Sequence, residues 1–251
     1  MRRNGDHYEY IAVYVDDLAI TAKDPQAICR ILTDNYNYKL KGTGPISFHL
    51  GCDFYRDQDG VLCMAPKKYI DKLVSTYEWH FGEKPRQHYS SPLEKGDHPE
   101  IDKSDLLGVE GIKIYQSLIG ALQWAVSIGR LDITSAVVTI SGFRVAPRQG
   151  HLDWVKHICG YLLRFREATI RFVTDEPNFS MLPQQEFDWM YLVYGDVKEL
   201  IPIDAPEPLG KYVTTLTYKD ANLLHDLITG QSLMGIMHFL NKTPIDYFSK
   251  K

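Results

Sequence analysis

The sequence predicts an α+β fold. Two observations carry that expectation. Short apolar stretches bounded by turn residues recur near 10–22, 46–66 and after 210, and three successive segments with helical spacing fill the middle. Hydrophobic residues make up 44% of the 251 and charged residues 24%, ordinary globular proportions that allow one large domain or two small ones.

The elements follow in order. Residues 10–15 and 18–22 read as buried strands around a tight turn at Asp16-Asp17. Asp24-Pro25 is an N-cap followed by proline at the first helical position, and Ile28, Ile31, Leu32 and Tyr36 continue as a helix over 25–36. "ISFHLGCDFYRDQDGVLCMAP" reads as two strands joined at Asp57–Gly60. Its "DQDG" opens like a calcium loop, but the rest of such a loop is missing, so a plain turn is expected. Ile70, Leu73, Val74 and Tyr77 mark a second helix, and 82–111 reads as a long connection. Helices are expected over about 113–128 (Ile114, Leu118, Leu122, Ala125), 131–144 (Ile133, Val137, Ile140) and 148–164 (Leu152, Val155, Ile158, Leu162). "ATIRFVT" returns to strand, and "YVTTLTYKDAN" with "LMGIMHFLNKTPIDYFSKK" gives three strands more.

Charge and cysteine usage exclude several classes. The net charge is −4. Residues 175–207 alone carry eight acids, one base and four prolines, and read as a linker or insertion that also holds the apolar cluster "FDWMYLVYG". The rest is near neutral, so no basic groove is evident. Cys29, Cys52, Cys63 and Cys159 lack CxxC spacing, which predicts free, mostly buried thiols. His151 and His157 do not share a helix face, and no zinc site is expected. No apolar run of membrane-spanning length and no signal peptide is seen, so an intracellular, membrane-free protein is expected.

Asp16 and Asp17 pose the chemical question. Adjacent carboxylates repel and prefer water to a core, yet their flanks are apolar. A hairpin tip resolves the conflict, because it exposes its turn residues. Two acids on a rigid tip suit a divalent cation, magnesium above all, although Asp-Asp is also a common turn dipeptide.

Collinear motifs decide between these readings. "YVDD" between apolar strands resembles the polymerase hairpin of reverse transcriptases. "FHLGCDFYRDQDGVLCMAPKKYIDKLV", "SSPLE", "YQSLIGALQWAVSIGRLDITSAVVTISGFRVAPRQGHLDWVKHICGYL" and "TYKDANLLHD…GQSLMGIMHFLNKTPIDYFSKK" follow in the order seen in copia-type LTR retrotransposon polyproteins. Arg130 and Asp132 occupy the family's "RPDI" place, with Leu131 instead of proline. The resemblance covers about 8–174 and 212–251.

It implies a partial palm over 1–81, a connection and helical thumb-like region over 82–174, an acidic linker over 175–211, and the opening strands of a ribonuclease H-like domain over 212–251. It further implies that Asp16 and Asp17 are catalytic and hold magnesium, with Asp16 the direct ligand. Tyr14, Leu50 and Gly51 would lie at the primer–template, with Leu50-Gly51 beginning a strand, and Asp220 would be the first ribonuclease H metal ligand. Lys67 and Lys68 are candidates for phosphate contact, with solvated helix-start lysines the plainer reading.

The family site also takes an aspartate from an earlier strand. Only thirteen residues precede Tyr14, and among them Asp6 and Glu9 lie in or beside the hairpin's own first strand. That acid is therefore expected to be missing, with the later ribonuclease H carboxylates, leaving an internal polyprotein piece with no activity alone. The alternative is a non-catalytic nucleic-acid-binding or interaction module on the same scaffold.

Overall fold

The structure, a computed structural model, describes residues 1–94, 96, 98–180 and 200–250. It is α+β, with three small antiparallel sheets and five α-helices among the described residues. The apolar cluster at 187–195 lies outside them. The chain divides into two compact units, Met1–Pro45 with Pro177–Val213, and Ile46–Glu176 with Thr214–Lys251.

The first unit holds the sheet β1 (Arg2–Asn4), β2 (His7–Tyr14) and β3 (Asp17–Thr21), in the order β1-β2-β3. Helix α1 (Pro25–Tyr36) follows as expected. The Asp24 carboxylate accepts the Ala27 N–H at 3.2 Å, and Asn37 closes the last turn in the left-handed conformation. The expectation of buried flanking strands is corrected. Tyr10 is 50% exposed and Val13 67%, and Ile11 and Leu18 are exposed as well. A three-stranded sheet beside one helix that buries only Ile28 has too little apolar cover to enclose both faces.

The core of the second unit is helical. Helices α2 (Lys67–Phe81), α3 (Val109–Ser127), α4 (Thr134–Ser141) and α5 (Gln149–Arg164) bury one continuous cluster. Ile70, Tyr115, Leu118, Leu122, Ile133, Ile140, Val155 and Leu162 are all fully enclosed in it. A four-stranded sheet joins β4 (Phe48–His49), β5 (Cys52–Arg56), β6 (Leu62–Ala65) and β7 (Ile170–Arg171). "ATIRFVT" thus contributes only two strand residues, because β6 offers it a two-residue register, Cys63↔Arg171 and Met64↔Ile170. Cys52, Cys63 and Cys159 are buried and Cys29 partly so, all free.

The second three-stranded sheet, order β10-β9-β8, joins β8 (Thr215–Asn222), β9 (Leu233–Leu240) and β10 (Thr243–Lys250). β10 packs along α4. Asn241, in the left-handed region at φ 51°, makes the β9–β10 turn. It bonds Thr214 through backbone and side chain and donates its amide to Thr174 O at 2.8 Å.

The connection before α3 is fastened to α5 along its whole length. Arg164 donates to the carbonyls of His88 and Tyr89 at 3.0 Å. His157 bonds Ser91 O at 2.8 Å and stacks on Tyr89 at 3.7 Å. Gly160 lets this strap cross the helix, since a Cβ there would land on the Arg86 carbonyl and 2.8 Å from the Tyr89 ring. At the N-terminus of α5, Gly150 N–H donates to Ser104 Oγ at 2.8 Å and Gln149 N–H to Asp105 O at 2.9 Å. These contacts satisfy helix amides that would otherwise lack partners. Buried His151 donates Nε2–H to Pro99 O at 2.9 Å and accepts the Arg148 N–H at Nδ1.

Candidate functional site

β2 and β3 form an antiparallel hairpin in the register Ile11↔Ile20, Val13↔Leu18, Tyr14↔Asp17. That register moves the turn by one residue from the expected position. The loop is Val15-Asp16, and Asp17 is the first residue of β3. Val15 has φ 54° and is 85% exposed. Left-handed backbone is strained for a β-branched residue. A favourable φ at that position would ask for glycine or asparagine, so strain is stored at the tip that presents the carboxylates.

Both carboxylates are exposed, as is Tyr14 beside them. Asp16 has no hydrogen-bond or ion-pair partner among the described residues. The other acids of this sheet are engaged. Asp6 is paired with Lys23 at 2.8 Å and with His7, and these bonds hold it down to about 2. Glu9 is buried and accepts from Asn4 at 2.9 Å and Arg2 at 2.8 Å, which keeps it below the usual carboxylate range. Among the described residues no three His, Cys, Asp or Glu side chains are placed to hold a metal ion.

Leu50-Gly51 is corrected from strand to turn. His49 pairs with Cys52, so Leu50 (φ 52°) and Gly51 (φ 87°) form a two-residue hairpin loop with both residues left-handed. This is the I′ geometry, whose twist matches the flanking strands. Gly51 supplies the positive φ without a Cβ penalty. Asp220 sits exposed on β8 opposite Gly235. Tyr14, Asp16 and Asp17 thus share the first unit, while Leu50, Gly51 and Asp220 belong to the second, on two different sheets.

The helix-start lysines are paired rather than free. Lys67 Nζ lies 2.7 Å from Glu167, and Lys68 Nζ lies 2.6 Å from Asp53 and 4.7 Å over the Phe48 ring. In "DQDG" the Asp57 carboxylate caps the turn amides of Asp59 and Val61, while Arg171 bridges Asp57 and Asp59 at 2.7 and 2.8 Å. A guanidinium stands where a calcium reading would need the ion. Arg130, 1% exposed, forks onto Asp132 at 2.9 and 2.6 Å with Tyr161 at 5.8 Å, fixing the turn between α3 and α4. The sequence did not point to the pairing of His98 with Glu100 and its approach to His225. His98 and Glu100 pair at 2.9 Å two residues apart, but His225 comes beside them only where the C-terminal sheet meets the connection.

Comparison with known proteins gives the order of these elements a context. The chain is 28% identical over 219 residues to a transposon Ty5-1 protein of Saccharomyces cerevisiae, covering 86% of this chain and 65% of that protein. It is also 28% identical over 169 residues to the retrovirus-related Pol polyprotein from transposon TNT 1-94 of Nicotiana tabacum. Its homologues are transposon polyproteins of the Ty5 and copia type. A third, the Pol polyprotein from transposon RE1 of Arabidopsis thaliana, is 28% identical over 188 residues. The chain spans 12% of the length of each of these two Pol polyproteins. No family model and no solved structure matches the chain. Among the described residues no helix is long and apolar enough to cross a membrane.

Proposed function

We propose that this retrotransposon polyprotein segment is the C-terminal half of a reverse transcriptase domain joined to the start of a ribonuclease H domain. The observation that carries the reading is the tip at Val15–Asp17, two exposed carboxylates held on a strained two-residue turn. They fit magnesium, which takes one or two carboxylates and fills the rest of its shell from water and phosphate. Asp16 and Asp17 would hold the ion, which when bound supplies charge neutralisation and activation of an oxygen nucleophile. Tyr14, opposite Asp17 in the register, would face the primer end. Leu50 and Gly51 would contact primer–template at a second hairpin turn, and Asp220 would serve the ribonuclease H site.

The isolated chain has no polymerase activity in this reading. Two carboxylates make one side of a two-ion clamp, and Asp6 and Glu9 are already bound to cations or buried. Magnesium dehydrates reluctantly, so a half-set of ligands leaves it poorly placed, and positioning supplies most of the catalysis in phosphoryl transfer. The test is primer extension on an RNA template with magnesium or manganese, using the wild type and Asp16→Asn. No extension by either is expected. Extension that vanishes in Asp16→Asn would overturn the inactivity and show that another acid completes the site.

A second reading is a non-catalytic module that binds nucleic acid or a protein. The exposure of Tyr10, Ile11 and Val13 on the sheet that carries the tip favours it, because apolar side chains left in water suit a partner surface. Duplex binding that persists in Asp16→Asn without magnesium distinguishes it from a metal-dependent grip.

A further inference from the structure

Sheet edges are the open hydrogen-bonding surfaces of this fold, and most of them are blunted. β1 is three residues long and carries Arg2 and Arg3, while β4 and β7 are two residues long. β10 lies along α4, and β8 carries Lys219 and Asp220. Short strands, cover and charged side chains are the usual guards against pairing with a second chain. The outer part of β3 has none of these. Leu18, Ala19, Ile20 and Thr21 run without a charge, a proline or a bulge. Among the described residues no strand pairs with the outer side of β3.

The hairpin register fixes which groups face that side. A two-residue loop closes on a hydrogen-bonded pair, here Tyr14↔Asp17, and the pairs alternate from there. Asp17, Ala19 and Thr21 therefore turn N–H and C=O toward β2, while Leu18 and Ile20 turn theirs to the open edge. Side chains divide as well. Ile11↔Ile20 and Val13↔Leu18 place four aliphatic residues on one face, with Val13 67% and Leu18 38% exposed.

We infer that two copies of this chain join edge to edge through β3, antiparallel, about a two-fold axis at Ala19. A two-fold contact requires a strand that complements itself, and β3 does. With Ala19 opposite Ala19 of the second copy, Leu18 lies opposite the second copy's Ile20, and Asp17 opposite its Thr21. The outward N–H and C=O of Leu18 and Ile20 then meet their counterparts, so the edge groups are satisfied in both copies. Charges agree with this register. No two like charges stand opposite, and Lys23, which follows Thr21, stands at the end where the other copy's Asp17 arrives. Apolar rows agree too. Val13–Leu18 continues into Ile20–Ile11 of the second copy, so eight aliphatic side chains line one face of a six-stranded sheet. Three strands are close to the minimum for independent stability, and six relieve that limit. The pairing goes beyond the polymerase reading and does not depend on it.

The experiment is sedimentation velocity of the full chain over a range of concentrations. A species of twice the chain mass is expected to grow with concentration. Ala19→Lys and Ala19→Glu each set like charges against themselves at the axis, and each should weaken the dimer at least tenfold. An equimolar mixture of the two should restore it, because lysine then meets glutamate. A wild type that stays monomeric, or a dimer that neither variant weakens, overturns the inference. Where mixing does not restore the dimer, disulfide trapping decides. A pair that is not hydrogen-bonded brings its Cα atoms to about 4.5 Å, within disulfide reach. Ala19→Cys must therefore link two copies on oxidation, whereas Leu18→Cys, displaced from the axis, must not. Absence of linking in Ala19→Cys, or equal linking in Leu18→Cys or the wild type, overturns the inference.

Discussion

At the scale of single residues, Val15 and His151 make opposite demands on their surroundings. Val15 holds φ 54° in a two-residue loop, at a cost of roughly 1–2 kcal/mol for a non-glycine residue. Val15→Gly removes that strain, less the extra entropy glycine loses on folding. We expect a net gain of about 1 kcal/mol, seen as slower amide exchange across β2 and β3; faster exchange would show that Val15 is not strained. His151 is buried and neutral, with Nδ1 accepting a helix-start amide and Nε2–H donating to Pro99 O. Burial pushes its pKa down, opposed by the Pro99 bond and by Asp102. The unfolded chain therefore binds the proton more tightly. Stability is full above the unfolded value of about 6.5 and falls as pH drops from there toward the folded value. Thermal unfolding of the wild type should lose midpoint between pH 7 and 5, whereas His151→Gln should start lower and change less over that interval.

At the scale of elements, Gly160 is the position most sensitive to added bulk. A methyl there meets the Arg86 carbonyl and the Tyr89 ring, and the backbone atom has nowhere to go. Gly160→Ala should destabilise by about 1–3 kcal/mol in denaturant titrations, despite alanine's better helix propensity. It should also speed proteolysis within 86–91. Leu122→Ala, at the fully enclosed centre of α3, should cost about 2–5 kcal/mol with no such local cleavage. The helices were legible because their apolar residues recur at helical spacing: Ile70, Leu73, Val74 and Tyr77 are the buried set of α2. α1 was legible because Asp24-Pro25 opens it and Ile28, Ile31, Leu32 and Tyr36 recur at helical spacing. The two hairpin turns were misplaced by local chemistry. Leu50 and Val15 are poor formers of left-handed backbone, so neither announced a turn, while the polar Asp-Asp pair drew the loop one residue too far. The strap on α5 was illegible because it is made of long-range hydrogen bonds to carbonyls, which leave no pattern in side-chain type.

At the scale of the whole molecule, charge limits what nucleic acid can do here. The net charge is −4, and Lys23, Lys67, Lys68, Arg166 and Arg171 are all tied to carboxylates. The excess of acids over bases leaves little net attraction for a duplex. Binding to primer–template should be weak and should fall steeply between 50 and 200 mM salt, as checked by fluorescence anisotropy, because release of condensed ions drives such contacts. Salt-independent binding would point to a protein partner.

The strap also sets a timetable for synthesis. His88 and Tyr89 wait for Arg164, 76 and 75 residues later, and Ser91 waits for His157, 66 residues later. At about 5–20 residues per second, a ribosome leaves that stretch without its partner for several seconds. Stalled chains ending before α5 should be cut between 86 and 93 by a protease that spares the finished protein. A chain released early would carry the same exposed stretch, giving quality-control machinery a signal that distinguishes incomplete copies from complete ones.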